Sequence, residues 1–529
     1  MMFNLWFFLF SFFVTTILLI SFRTALRDYL PEKISGEPAI PYLGGILLLG
    51  AFGVLLWPLP LASKSILSAI VFSCAGWFFR SEIFALLKKE KKVLVSILLM
   101  AGIFFSIGPK EVPNGKLFDG PYVDKSWNLG SRVQYLLRDL PCDNILPYLV
   151  SEFVLNRLPL ALNNPILPNQ PITNRGILSS VTAIPALALT KALEGKNELE
   201  TKVLPTMNYN NIDWPNAFPL YSNNGFSSFL GAYIALYFFI FLFCAELFKS
   251  DVLFFILISN FYICSQMIFS WPKLAIGLIG MAMAEGLRLS SSKSDESLLP
   301  YPYFILTGIL FHPYGYYLGA LLGVLLVFNF RNKGTKRILS FLKTGISPWF
   351  FLPILTWAII QIAVRHLPIE SNMLSQNNSG SILLEPRLIS IKNAFFWSDL
   401  HELRKCPWIY LIPSVPSLLW IWKTEQKIQF ISILFMGLIL SVLPFNFISP
   451  AMILGMQVFV PFLIQESTKN LSALSTSAVI GLQSVIATAS FYYLYRDARI
   501  DLPSLSVACS FYLLFAVFSI RFIHRNNRA

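Results

Sequence analysis

FNLWFFLFSFFVTTILLISF, residues Phe3 to Phe22, is the stretch that decides the fold, because it contains no charged residue. A run of this length and apolarity can cross about 30 Å of hydrocarbon as one α-helix. No basic residue precedes the run and no small-residue cleavage site follows it. We therefore interpret it as a retained membrane helix and not as a signal peptide.

The rest of the chain repeats this pattern. Of its 529 residues, 55% are hydrophobic and 13% are charged, whereas a soluble domain carries about 25% charged residues. We count about 13 to 15 apolar runs long enough for membrane segments. Residues 177–193 and 274–287 are the weaker ones. The predicted fold class is an all-α, polytopic transmembrane helical bundle with an external loop domain of short amphipathic helices.

The formal net charge of +13 comes from lysines and arginines beside the ends of the apolar runs. Such placement follows the positive-inside rule and does not indicate nucleic-acid binding. It predicts an external amino terminus, a cytoplasmic carboxyl terminus and an odd number of crossings. The basic groups are Arg23, Arg27 and Lys33; Arg80, Lys88, Lys89, Lys91 and Lys92; Arg331, Lys333, Lys336 and Arg337; Lys423 and Lys427; and Arg521, Arg525 and Arg528. The six cysteines have no CxxC spacing and fit small core residues.

The longest polar interruption, residues 109–175, is predicted to be external, and it contains the candidate catalytic groups. Asp119 and Asp124 lie five residues apart and are followed by Lys125 and Arg132. A carboxylate there can take a proton from an acceptor hydroxyl, and the cations can hold a phosphate leaving group. The same residues also fit a solvated loop in which the Asp-Gly pair forms a turn.

The crossing of residues 177–193 stays open at this stage. If this run crosses the membrane, Trp271-Pro272-Lys273 is cytoplasmic. If it lies on the surface, that tripeptide is external, and residues 301–330 must cross twice or re-enter around His312-Pro313-Tyr314-Gly315.

The absence of several common enzyme motifs limits the possible functions of the chain. The chain has no Gly-x-Ser-x-Gly elbow, no Gly-x-x-x-x-Gly-Lys-[Ser/Thr] loop and no His-Glu-x-x-His, which argues against metalloprotease and ATPase functions. A transporter typically shows ionisable residues within its membrane helices, or two repeated halves. Here few charges beyond Glu246 and Glu285 interrupt the apolar runs, and no internal repeat is visible.

Several short motifs resemble the GT-C superfamily of integral membrane glycosyltransferases. Asp119-Gly120-Pro121-Tyr122 is similar to the acidic motif near the start of that family's external loop, with Val123 where the family often has His. Residues 140–147, Leu-Pro-Cys-Asp-Asn-Ile-Leu-Pro, resemble the turn that follows it. Residues 269–273, Phe-Ser-Trp-Pro-Lys, and His312 resemble features of bacterial members. The resemblance covers roughly residues 93–330.

This resemblance implies a bacterial inner-membrane enzyme that moves a sugar from a polyprenyl-phosphate donor to an acceptor at the outer leaflet. It implies Asp119 as general base, with Asp124 as the second candidate. The implied substrate contacts are Tyr122, Lys125, Arg132, Lys273 and His312. The implied partners are the lipid bilayer and the lipid-linked sugar donor. A divalent metal cofactor stays open, since no ligand cluster is visible in the sequence.

The same resemblance suggests three parts of the chain. Residues 1–92 form an added amino-terminal transmembrane unit, and residues 93–330 form the core. Residues 331–529 form a carboxyl-terminal region with a second external loop at 365–406.

Two other functions stay open: a transporter or flippase of lipid-linked or polar solutes, and a membrane scaffold without chemistry. Residues 27–45 also resemble the cytoplasmic entry loop of polyprenyl-phosphate sugar-1-phosphate transferases. That family needs an Asp-Asp pair for magnesium, and this chain contains none. We therefore interpret Gly44-Gly45 as a close contact between helices.

Overall fold

The computed structural model describes residues 4–107, 146–157, 176–196, 223–260, 273–291, 297–312, 317–330, 335–364, 472–496 and 502–526, with Ile263 and Gly315. Helices account for the secondary structure of these residues, which confirms the predicted all-α class. The helices are α1 (Leu5–Tyr29), α2 (Glu32–Ser35), α3 (Ala39–Leu55), α4 (Leu61–Phe78), α5 (Arg80–Lys89), α6 (Lys91–Ile107), α7 (Leu146–Leu155), α8 (Leu178–Leu193), α9 (Asn223–Phe248), α10 (Asp251–Ser259), α11 (Lys273–Ser291), α12 (Tyr301–Phe311), α13 (Tyr317–Phe330), α14 (Thr335–Lys343), α15 (Pro348–Val364), α16 (Ala473–Arg496) and α17 (Leu502–Asn526).

Four described helices are long and apolar enough to cross a membrane: α1, α4, α9 and α17. Several shorter apolar helices accompany them, including α3, α8, α11, α12 and α15. The central helix is α9, since 94% of its most apolar 18-residue stretch is buried inside the protein. A helix that is apolar on all sides satisfies its backbone internally and suits a core surrounded by other helices.

Helices α1 and α9 run parallel and define the two ends of the bundle. Near their starts, the Asn4 amide donates to Ser227 Oγ at 3.1 Å, and near their ends Arg23 contacts Glu246 at 2.9 Å. We call the end that holds Asn4 the amino end and the end that holds Arg23 the carboxyl end.

Small residues let α3 approach its neighbours closely. A β-carbon on Gly44 would lie 2.7 Å from Leu26 Cδ1, and one on Gly45 would lie 3.1 Å from the Arg23 backbone nitrogen. These contacts confirm that the Gly44-Gly45 pair serves helix packing. Further along α3, Gly53 packs in the same way on the Val181 backbone of α8.

Residues 301–330, for which the sequence left a double crossing or re-entry open, do not form one helix. They divide into α12 and α13, with fully buried His312 between them. The Gly315 N–H donates to the His312 carbonyl at 2.8 Å, and a β-carbon on Gly315 would lie 2.0 Å from the Gly308 carbonyl carbon. The chain therefore changes direction between α12 and α13, because Gly315 packs back against Gly308 of α12.

Helix α13 leads back to the end from which α12 starts. The Phe341 ring, in α14, lies 6.2 Å from the Tyr301 ring, and the Leu298 amide donates to Thr344 Oγ1 at 2.6 Å. Phe304 of α12 contacts Phe243 near the end of α9, so this is the carboxyl end. With 11 residues, α12 is about 16 Å long and reaches only about halfway through the bundle.

Two more helices begin at about half depth. Gly176, just before α8, packs on the Leu310 and Phe311 carbonyls at the inner end of α12. The Ala275 backbone, in the first turn of α11, lies within hydrogen-bonding reach of the Tyr237 hydroxyl. Tyr237 lies about 21 Å along α9, which is about 38 Å long. Residues 178–193 therefore form a buried helix that starts inside the bundle, and not a surface segment.

The described basic groups gather at the carboxyl end. Arg27 contacts Glu82 at 3.2 Å, which places α5 beside the end of α1. Lys92 contacts Asp251 just beyond α9, and its ammonium lies 5.8 Å from the Phe522 ring near the end of α17. Members of separate basic groups, far apart in the sequence, therefore share one end of the fold.

Candidate functional site

A buried ion pair lies in the amino half of the bundle, where α7 meets α8. Lys191 Nζ is 2.5 Å from Glu152 Oε2, and both side chains are buried. Asn156 donates to the same carboxylate oxygen at 3.3 Å and to the Glu152 carbonyl at 2.8 Å. The site is anchored to α9 through Tyr148, whose ring packs on Phe226 at 5.3 Å.

A second buried lysine completes this site. Lys64 of α4 is fully buried, and its ammonium donates to the Val154 and Leu155 carbonyls at 2.9 and 2.7 Å. These carbonyls are the last acceptors of α7, where the helix dipole favours a cation. We call Lys64, Glu152, Asn156 and Lys191 the amino-end cluster.

A more exposed polar layer lies at the rim of the amino end. The Asn4 side chain donates to Asn224 Oδ1 at 3.0 Å, and Asn224 donates to Glu194. Lys196 contacts the same carboxylate at 3.3 Å and is itself exposed. The starts of α1 and α9 are thereby tied to the end of α8.

Five of the predicted site residues lie outside the described part of the chain: Asp119, Tyr122, Asp124, Lys125 and Arg132. The flanks of their segment are described. Helix α6 starts with Lys91 at the carboxyl end, leads about 25 Å along the bundle past Phe511 of α17, and ends at Ile107 in its amino half. The chain is described again from Leu146, beside the start of α9. Both flanks thus lie on the amino side of the bundle.

The other two predicted residues lie deep in the bundle. Lys273 is the first residue of α11, and the structure describes its backbone at about half depth and not its side chain. His312 is fully buried at the reversal between α12 and α13. Both therefore stand at helix ends inside the bundle.

Sequence reasoning missed the amino-end cluster. Glu152 lies within the polar interruption, while Lys64 and Lys191 stand in or beside apolar runs. A lysine in an apolar run is costly and marks a functional or structural site. That signal was present for Lys64 and Lys191, but the sequence does not tell which carboxylate or carbonyl would meet them.

Glu246, singled out from the sequence, belongs to a separate group at the carboxyl end. It accepts from Arg23 at 2.9 Å and from the Tyr42 hydroxyl at 2.7 Å. The Arg23 guanidinium also stacks over the Tyr42 ring, 4.3 Å from its centroid. This arrangement fastens α1, α3 and α9 together, because each contributes one partner.

No group of three or more His, Cys, Asp or Glu residues within the described ranges is arranged to hold a metal ion. The three described cysteines, Cys74, Cys244 and Cys509, are free thiols. Comparison with protein-family models, curated proteins and solved structures finds no match for this chain.

Proposed function

We propose that this protein is a membrane glycosyltransferase that moves a sugar from a polyprenyl-phosphate donor to an acceptor at the outer leaflet. The observation that carries the proposal is that the two described flanks of residues 108–145, Ile107 and Leu146, lie on the amino side of the bundle. The described basic groups gather at the opposite end. By the positive-inside rule the amino end faces outwards, which is the side that the proposal requires for Asp119.

The amino-end cluster gives this face a rigid support, because it holds α4, α7 and α8 together. Lys191 and Lys64 place two ammonium groups in the amino half of the bundle, among α4, α7 and α8. Because both are buried, they are held in fixed positions by Glu152 and by the last carbonyls of α7.

In this proposal Asp119 takes the proton of the acceptor hydroxyl as it attacks the sugar. The sugar–phosphate bond breaks, and the polyprenyl phosphate leaves with its charge. A positioned general base contributes about 10²- to 10⁴-fold to such a step.

The test uses purified protein in lipid nanodiscs supplied with polyprenyl-phosphate sugars. Asp119→Asn keeps the side-chain shape but cannot accept the proton, so turnover should fall about a hundredfold or more. Asp124→Asn should cost less. Asp28→Asn, which changes a carboxylate at the carboxyl end beside Arg27, serves as the matched control. Full activity of Asp119→Asn would contradict the assignment of Asp119 as the general base.

A second candidate is a transporter or flippase of lipid-linked or polar solutes. It is favoured by the helices that start or end at half depth, α8, α11 and α12, because broken helices form the substrate sites of many transporters. Nanodiscs separate the two functions, since transfer needs no sealed compartment. Activity that appears only as flux across sealed vesicles would favour the transporter.

A further inference from the structure

Helix α5 joins two apolar helices, α4 and α6, at the carboxyl end of the bundle. Helix α4 reaches it beside α1, where the Ser21 hydroxyl donates to the Ala75 carbonyl at 3.3 Å. Helix α6 leaves it with Lys92, which contacts Asp251 just beyond α9. Because both neighbours meet it at this level, the ten residues of α5 lie along the carboxyl end and not along the axis of the bundle.

The outer side of α5 carries two cations with an aromatic ring between them. Arg80, Phe84 and Lys88 follow one another at four-residue spacing, so they form one row along the helix. All three are exposed, and the exposed fraction of Phe84 is 73%. The neighbouring Ile83 is 5% exposed, so α5 packs on the protein through a different side.

Two exposed aromatic side chains at the end of α4 extend this row. They are Trp77 and Phe78, with exposed fractions of 66% and 73%. The Arg80 guanidinium lies over the Trp77 ring, 4.5 Å from its centroid. Tryptophan at the end of a membrane helix is typical of the boundary between lipid chains and headgroups.

The same side of α4 is apolar along its length. In its most apolar 18-residue stretch, 28% of the residues are buried inside the protein, so much of this helix is open to lipid. Ile66 and Ile70 are exposed and lie on the side of α4 that carries Trp77. Lipid chains therefore cover this side as far as Trp77, and the exposed groups of α5 follow at the depth of the headgroups.

Charge then selects the kind of lipid. The carboxylates of this stretch lie near cations of the protein: Glu82 contacts Arg27 at 3.2 Å, and Glu90 is buried. Glu90 lies 3.8 Å from Lys92. The stretch therefore presents a net positive charge, which favours anionic over zwitterionic headgroups. Its exposed cations are Arg80, Lys88, Lys89 and Lys91.

We propose that the outer side of α5, together with the end of α4, is a binding surface for the headgroups of anionic phospholipids. We call Trp77, Phe78, Arg80, Phe84 and Lys88 the α5 interface. Its rings enter the boundary between chains and headgroups, and its cations attract the negative charge of the lipid. The proposal goes beyond the proposed sugar transfer and does not depend on it.

Quenching by spin-labelled lipids tests the α5 interface locally. In a variant without the six native cysteines, a fluorophore is placed on Ala85→Cys, an exposed position of α5. Phosphatidylcholine vesicles receive an equal small share of either phosphatidylglycerol or phosphatidylcholine with a nitroxide near the headgroup. We expect phosphatidylglycerol to quench more strongly, because it gathers at α5, and high salt to remove this excess. A fluorophore on Ile66→Cys is the control and should be quenched equally by both lipids.

Charge variants separate headgroup binding from mere contact with lipid. Lys88→Gln should lower the excess quenching severalfold, because one cation near anionic headgroups changes the affinity by about fivefold. Lys88→Arg should retain the excess. Lys196→Gln removes an exposed cation at the amino end and should also retain it. Unchanged quenching on Ile66→Cys shows that each variant keeps its fold.

Equal quenching of Ala85→Cys by the two lipids would overturn the proposal. Quenching by neither lipid would also overturn it, since protein or water would then cover α5. The same holds if Lys88→Gln and Lys196→Gln have equal effects. Because the vesicles contain no sugar donor, failure of this test leaves the transfer proposal standing, and full activity of Asp119→Asn would leave the α5 interface standing.

Discussion

A β-carbon built on Gly53 would lie 1.9 Å from the Val181 carbonyl oxygen, so α3 and α8 touch backbone to backbone at this point. The contact holds the first turns of α8 against α3 and fixes where that helix begins inside the bundle. No side chain larger than hydrogen fits between the two helices without moving one of them.

Gly53→Ala is therefore expected to prevent normal folding, because the clash is with backbone and not with a movable side chain. Gly286→Ala is the matched control, since a β-carbon there meets no atom within 4 Å. In a helix interior alanine is favoured over glycine by about 1 kcal/mol. The yield of monodisperse protein after extraction should collapse for Gly53→Ala and stay unchanged for Gly286→Ala.

The pair of Glu152 and Lys191 predicts strong coupling. Glu152→Gln or Lys191→Met alone should lower the free energy of unfolding by about 3–5 kcal/mol, because each leaves a buried charge without its partner. The double variant should recover much of this loss. Unfolding by SDS titration measures all four proteins, and simple additivity of the two single changes would contradict the prediction.

Tyr42→Phe should destabilise the carboxyl end. The Tyr42 hydroxyl donates to Glu246 at 2.7 Å inside the bundle, and loss of a hydrogen bond to a charged group costs about 1.5–3 kcal/mol. Tyr303→Phe is the control, since the Tyr303 hydroxyl lies 3.5 Å from its acceptor, the Trp349 carbonyl. Equal shifts of the SDS midpoint in the two variants would contradict the assigned role of Tyr42.

Orientation is tested with single cysteines in a variant that lacks the six native ones. Lys196, at the amino end, and Lys89, at the carboxyl end, are both exposed. With the amino end outside, Lys196→Cys in whole cells should react with an impermeant thiol reagent, and Lys89→Cys should react only after the membrane is opened. The reverse labelling pattern would mean that the amino end faces the cytoplasm, and it would contradict the external location predicted for residues 109–175.

The sequence by itself determined the class of protein. Apolar runs long enough to span a bilayer force their backbones into helices, since a membrane offers no other hydrogen-bond partners. The close packing of Gly44-Gly45 was also predictable, because small adjacent residues in an apolar run mark helix contacts. Both properties are local, and hydropathy records them directly.

Only the tertiary structure decided how these helices are interrupted and joined. The sequence left open whether residues 301–330 cross once or turn back near His312, and the structure shows two helices, with Gly315 packed on the Gly308 backbone. Lys191 bonds Glu152, and Lys64 donates to the last carbonyls of α7, about 90 residues away in sequence. Such pairings depend on which helices become neighbours, and that is settled by packing over the whole bundle and not by any one segment.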